Sequence, residues 1–215
     1  MRPNTIRYSL DLYKKLHGGV TQIVDVGTMW LTDFLVDVFP DCHHYLFEPN
    51  PEYYKVIPEK YVEINHTLIT KAVSNNNITK TIKLPQVQNQ ESFDAEYITL
   101  DQYFNNVPSS TFDNFNTILK IDVDGEEYEI IQGGEEFIKR CGLVIIECNL
   151  GLIDTYILEF RRLGFQVWDI SGICYYKNQF HQCDVLLINS ELFNENIKFR
   201  PWDDGPFDIN EWIDK

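Results

Sequence analysis

No apolar run in these 215 residues approaches the roughly 20 needed to cross a bilayer. The opening MRPNTIRYSLDLYKKL has no leader-like apolar stretch and no small-residue cleavage pattern, so neither membrane insertion nor export is expected. Cysteine is scarce and poorly spaced: Cys42, Cys141, Cys148, Cys174 and Cys183 form no CxxC pair and no His/Cys ligand spacing. Three of them fall in or beside apolar runs, as small core residues do, which fits reduced thiols in the cytoplasm. Positive charge is short too, with 18 basic against 33 acidic side chains and a formal charge of −15. Most of such a surface repels a nucleic acid or an anionic membrane, and no basic patch relieves it. A cation is drawn to it. Glycine is missing where a dinucleotide needs it. Gly27-Thr28-Met29-Trp30-Leu31-Thr32 has one glycine where a pyrophosphate cradle uses three, which counts against a nicotinamide oxidoreductase.

What is present is a folded-protein composition, 44% hydrophobic and 14% aromatic, at a length suited to one domain. The pattern divides into an N-terminal helical segment (1–19), a main domain (20–190) and an acidic tail (191–215) carrying Trp202 and Trp212. That tail is expected either to pack its aromatics back on the domain or to cover a site. Strand-like runs are expected at 23–26, 44–48, 68–73, 81–84, 117–122, 143–147, 165–170 and 184–189. Helical runs are expected at 30–39, 126–140 and 154–164, and a flexible loop at 85–97. Strands alternating with helices predict an α/β domain with a parallel sheet. The last two runs have no helix between them and predict an antiparallel hairpin at one edge.

In such a sheet, ligands bind outside the carboxyl ends of the strands. Those ends carry Asp25 and Gly27, Glu48, Ala72 to Ser74, Asp122 and Asp124, and Glu147. Carboxylates are rarely buried unpaired, so acids ending four strands predict a functional mouth. Glu48 follows Gly27 by 21 residues, close to the ~20 that separates a nucleoside-binding glycine turn from the acid that holds the ribose. The single glycine suits a cofactor with adenosine but no phosphate.

VDVGT (24–28), LFEPNP (46–51), KAVSN (71–75), ITLDQYF (98–104) and LKIDVDGEEYEIIQGGEEF (119–137) together resemble the motifs of the FkbM family, S-adenosylmethionine-dependent methyltransferases. The resemblance runs from about residue 20 to 190. It implies a Rossmann-like, seven-stranded class I methyltransferase sheet of order 3-2-1-4-5-7-6, its last strand antiparallel, with helices on both faces. It also implies O-methylation of a hydroxyl on a sugar, a glycan or a small metabolite. Carried over by position, Asp25, Gly27 and Thr28 form the cofactor turn, and Glu48 with Pro49 and Asn50 holds the ribose. Ala72, Val73 and Ser74 lie by the adenine, and Asp122 lies near the transferred methyl. Asp124 stands where the family has glutamate. The 28–31 loop departs further, and Met29 and Trp30 are expected to turn into the core. That departure, with the tail, motivates the alternative of a non-catalytic partner-binding domain.

An alcohol needs its proton accepted before it attacks. Asp122, Asp124 and Glu127 are the candidates, with Lys120 either pairing with these acids or orienting them. His181 is a competing base before the last strand; His43, His44 and His66 are weaker ones, and His17 is incidental. Glu127 equally suits the start of a helix, where an acid meets the macrodipole. Asp122 beside Asp25 requires a cation between them, which the sulfonium or a metal would supply. A divalent metal on Asp122, Asp124 and Glu147 stays open, since hard cations take carboxylates.

Overall fold

The computed structural model describes residues 5–82, 92–112 and 115–193. Seven strands form the main sheet: β1 (Gln22–Val26), β2 (His43–Phe47), β3 (His66–Ile69), β7 (Thr117–Ile121), β8 (Leu143–Asn149), β9 (Phe165–Tyr176) and β10 (Gln179–Asn189). Their order is β3-β2-β1-β7-β8-β10-β9, which counted along the chain is 3-2-1-4-5-7-6, as expected. β1 is parallel to both β2 and β7, and β10 runs antiparallel to β8 and β9. The chain leaves β1 in one direction and returns on its other side at β7. The crevice of a doubly wound sheet opens at that switch point.

The strands at the switch point are mostly apolar because both faces are covered, with Asp25 of β1 and Lys120 of β7 the buried charged exceptions. On one face Val24, Leu119 and Ile146 pack with α4 (Leu100–Asn105), α5 (Glu127–Gly133), α6 (Glu135–Ile138) and α7 (Ile153–Arg162). On the other, Ile23, Ile118 and Ile145 pack with Leu10 and Tyr13 of α1 (Ile6–His17) and Leu35 of α2 (Asp33–Val38). The buried side chains of this kind contribute about 1.5–3 kcal/mol each. α1 begins where the Thr5 hydroxyl accepts from the Tyr8 N–H and ends at Gly18 in the left-handed region (φ 65°).

Four expectations change. The run at 68–73 is two strands, because the chain leaves the main sheet after Ile69 and starts β4 (Ala72–Val73). β4 pairs with β6 (Phe93–Ile98), which pairs with β5 (Thr79–Ile82), giving a second, three-stranded sheet. The 85–97 stretch is therefore strand in its last part, while 83–91 lies outside the described residues. The helical run 126–140 breaks at Gly133-Gly134, where a Cβ on Gly133 would stand 2.2 Å from the Ser74 carbonyl oxygen. The edge hairpin is far longer than its apolar signal and turns at Lys177-Asn178, both with positive φ (49° and 62°), the pattern of a two-residue type I′ turn. Of the tail, residues 194–215 lie outside the described residues.

Candidate functional site

The carboxyl ends of β1, β2 and β7 open on a cleft of about 880 Å³. Its first wall is the turn after β1. Gly27 holds φ 87°, and a Cβ there would lie 1.8 Å from the Asp122 carbonyl oxygen. Only glycine lets this turn pack on the end of β7. The loop that follows lacks a second glycine, and side chains hold it instead. The Met29 N–H donates to Glu48 Oε2 at 2.7 Å while Met29 itself takes φ 57°. Thr32 Oγ1 donates to Asp25 Oδ2 at 2.6 Å, and the Thr32 N–H donates to the Tyr61 hydroxyl at 3.2 Å. Thr28 is buried with its hydroxyl on the Asp25 carbonyl. Met29 and Trp30 do not enter the core: both are exposed and line the cleft, with Trp30 edge-on to Tyr53.

Glu48 lies at the end of β2, 6% exposed, and its second oxygen accepts from the Asn50 N–H at 2.8 Å. Burial pushes its carboxyl up to about 7, against the two backbone donors; the Asp25 charge adds to the rise. Pro49 and Asn50 line the cleft, and Asn50 caps the Glu52 N–H. Ala72 and Val73 line it opposite, with Ile82, Phe93 and Tyr97 of the small sheet continuing that wall. Ser74 is fully buried behind them, and its hydroxyl has no partner among the described residues.

At the end of β7 the Lys120 ammonium stands between two carboxylates, 3.1 Å from Asp25 Oδ1 and 3.3 Å from Asp122 Oδ2. It also donates to the Gly27 carbonyl at 3.2 Å. The cation separating the two aspartates is thus a side chain of the protein rather than a bound sulfonium or metal. Burial alone would pull the Lys120 pKa down, but Asp25 and Asp122 outweigh it and hold it above its ordinary value. Asp25 is completely buried and does not line the cleft; it organises the turn from behind. Asp122, its side chain 38% exposed, faces the cleft.

Asp124 also lines the cleft, at φ 60°, and burial followed by repulsion from Asp122 and Glu127 raises its pKa. Glu127 turns away. It is buried, accepts from the Val123 and Gly125 N–H groups, and takes the Tyr156 hydroxyl at 3.1 Å. Its oxygens tie the turn into α5, and it does not line the cleft. Glu147 accepts from the Gln182 amide and does not line the cleft either. Burial, then repulsion from Asp122, Asp124 and Asp184, lifts Glu147 to about 7. Among the described residues, no three His, Cys, Asp or Glu side chains are placed to hold a metal ion, so Asp122, Asp124 and Glu147 do not form a ligand set.

The histidines lie elsewhere. His181 is inside β10, exposed, with its ring 5.9 Å from Tyr176. His43 and His44 open β2 and His66 opens β3, at the opposite ends of the strands from the cleft. His44 and His66 bond the Phe39 and Ile64 carbonyls, His43 the Thr67 hydroxyl, and His17 the Phe115 carbonyl. Sequence reasoning missed Thr32, Tyr61 and the Ile82–Phe93–Tyr97 wall. A hydroxyl seven residues beyond Asp25 was the one available signal for Thr32.

Residues 88–167 match the Methyltransferase FkbM domain. No curated protein matches the chain. Several solved structures share its fold. A precorrin-6y C5,15-methyltransferase from Geobacter metallireducens is 14% identical with a TM-score of 0.50, over 85% of this chain and 86% of that one. An rRNA methylase from Streptococcus thermophilus is 14% identical with a TM-score of 0.52, over 88% and 98%. A magnesium protoporphyrin IX methyltransferase from Synechocystis, solved with S-adenosylmethionine bound, is 10% identical with a TM-score of 0.50, over 86% and 78%.

Proposed function

From a chain that resembles the FkbM methyltransferases over residues 88–167 and folds as a class I methyltransferase, we propose that it transfers a methyl group from S-adenosylmethionine to a hydroxyl of a sugar, glycan or small metabolite. The carrying observation is the set of side chains at the switch point. Glu48 supplies a buried carboxylate at the end of β2, Gly27 a turn no other residue fits, and Asp122 a carboxylate facing the cleft beside a buried lysine.

The residues fit the cofactor. A cleft of about 880 Å³ is within the range of small-molecule sites. Each Glu48 oxygen accepts one backbone N–H, which leaves lone pairs for two ribose hydroxyls. Ala72, Val73, Ile82 and Tyr97 give the adenine an apolar wall. When bound, the cofactor supplies a methyl carbon on a positively charged sulfur. Its methyl group would be displaced onto the acceptor oxygen, leaving a neutral thioether, while a carboxylate of the protein would accept the hydroxyl proton. We assign that role to Asp122, which lines the cleft together with Asp124. Aligning the reacting atoms contributes ~7–11 kcal/mol at best. The five unpaired cysteines suit a reducing cytoplasmic setting.

Calorimetry with S-adenosylmethionine tests the cofactor, and methyl transfer to a panel of glycans and nucleotide sugars tests the acceptor. Binding without transfer to any hydroxyl would remove the acceptor assignment; absence of binding would remove the methyltransferase reading.

A further inference from the structure

The ion triad at the mouth carries its own consequence. Asp25, Lys120 and Asp122 sum to one negative charge, and two of the three are at most 5% exposed. Without Lys120 the same place would carry two. The cofactor differs from the product it leaves, S-adenosylhomocysteine, by one methyl group and one positive charge. A site that binds both discriminates between them chiefly through local charge, which is weakly screened where water is excluded. Resting on the S-adenosylmethionine reading above, we propose that Lys120 is the specificity-determining residue for cofactor against product. It holds the charge of the triad at minus one, and so limits the preference for the charged cofactor and lets the neutral product leave.

Geometry supports this assignment over simple propping of the turn. Lys120 spans the ends of the two central strands, bonding Asp25 and Gly27 of the β1 side and Asp122 of its own. Asp25 and Gly27 flank the turn, and Asp122 faces the cleft. Lys120 itself lines the cleft beside Gly27 and Asp122, so its ammonium stands at the wall that a ligand at the switch point meets. Thr32 holds the remaining Asp25 oxygen, so no other cation among the described residues neutralises this pair.

The test is the ratio of S-adenosylmethionine to S-adenosylhomocysteine affinity, measured by calorimetry at pH 8.5 for four proteins. Lys120→Met raises the ratio about tenfold over wild type, the effect of one added charge after partial screening. Asp25→Asn, which keeps the side-chain shape and one acceptor oxygen and removes one negative charge, lowers it by a similar factor. The double variant Lys120→Met/Asp25→Asn restores the wild-type charge and returns the ratio toward the wild-type value, between those of the two single variants. A purely structural lysine lowers both affinities together and leaves the ratio flat. If Lys120→Met does not fold, the Asp25→Asn shift decides alone. A flat ratio in the folded variants overturns this inference and spares the methyltransferase reading; failure of wild type to bind either ligand overturns both.

Discussion

At Glu48 a single carboxylate has two tasks, closing the 28–31 loop through the Met29 N–H and presenting an acid to the cleft. Glu48→Ala removes both, and cofactor affinity is expected to fall by about 1.5–3 kcal/mol for each charge-assisted bond lost. Glu48→Gln keeps the shape and one acceptor, and loses less. Calorimetry on the pair separates charge from shape, and equal affinities for Glu48→Ala and wild type would remove Glu48 from the site. Asp122 poses the opposite case. Since Lys120 already separates it from Asp25, Asp122→Asn leaves Lys120 its stronger partner, at 3.1 Å, and a melting temperature close to wild type is expected. Methyl transfer should be lost if Asp122 takes the proton, as general bases typically contribute 10²–10⁴-fold. Near-normal turnover in Asp122→Asn would move the base to Asp124. Gly27→Ala has no such latitude: its Cβ would meet the Asp122 carbonyl at 1.8 Å at φ 87°. Destabilisation well above the ~1 kcal/mol cost of a left-handed non-glycine residue is expected, read by urea unfolding.

At the scale of elements, the main-sheet strands were legible because β1, β7 and β8 are covered on both faces and so read as predominantly apolar runs. The reversed last strand was legible from the absence of a helix between two such runs. The small sheet was legible only in part: the runs 68–73 and 81–84 overlap β4 and β5, but their separation into a second sheet was not readable. β5 is exposed along most of its length and β4 is two residues long, so neither shows a burial period that would assign it to a sheet. The strand β6 alternates, but its pattern lies in a polar stretch that reads as loop. At the site, strand-end positions pointed to Glu48 and Asp122 from topology alone. The partners were hidden, because the Lys120–Asp25 and Thr32–Asp25 bonds depend on which strands neighbour each other. The loop 28–31 shows the cost of that blindness: its bulky residues suggested core, whereas carboxylates from two strands hold it out over the cleft. Thr32→Val, which deletes the hydroxyl bonded to Asp25, should therefore weaken cofactor binding while leaving the sheet intact. The destabilisation expected is about 1–3 kcal/mol for the unmet buried carboxylate oxygen. Unchanged binding in that variant would show that the loop is held by Glu48 alone.

For the molecule as a whole, charge is the governing quantity, and it makes stability depend on pH. A formal charge of −15 repels itself, and the worst-placed acids gather at the carboxyl edge of the sheet. Burial lifts Glu48 and Glu147 to about 7 and Asp184 to about 6, with Asp122 adding repulsion to the last two. In the unfolded chain the same groups release their protons near ~4. Between those limits the folded protein holds protons that the unfolded chain has lost, so stability declines as pH rises through the window and is steady above it. The direction is opposite to that of a paired surface carboxylate, whose loss of stability comes on acidification. Melting temperature should therefore be higher at pH 6 than at pH 8, by about 5 °C at the ~2–4 °C per kcal/mol usual for a chain of this size. Added salt should narrow the gap by screening its repulsive part. S-adenosylmethionine, bringing a positive charge to the same edge, should stabilise the protein more at pH 8 than at pH 6, whereas S-adenosylhomocysteine should show no such bias. Scanning calorimetry at the two pH values, with and without each ligand, checks all of this. A melting temperature that rises from pH 6 to pH 8 would mean that these carboxylates are paired rather than crowded, and that the mouth is not built to receive a cation.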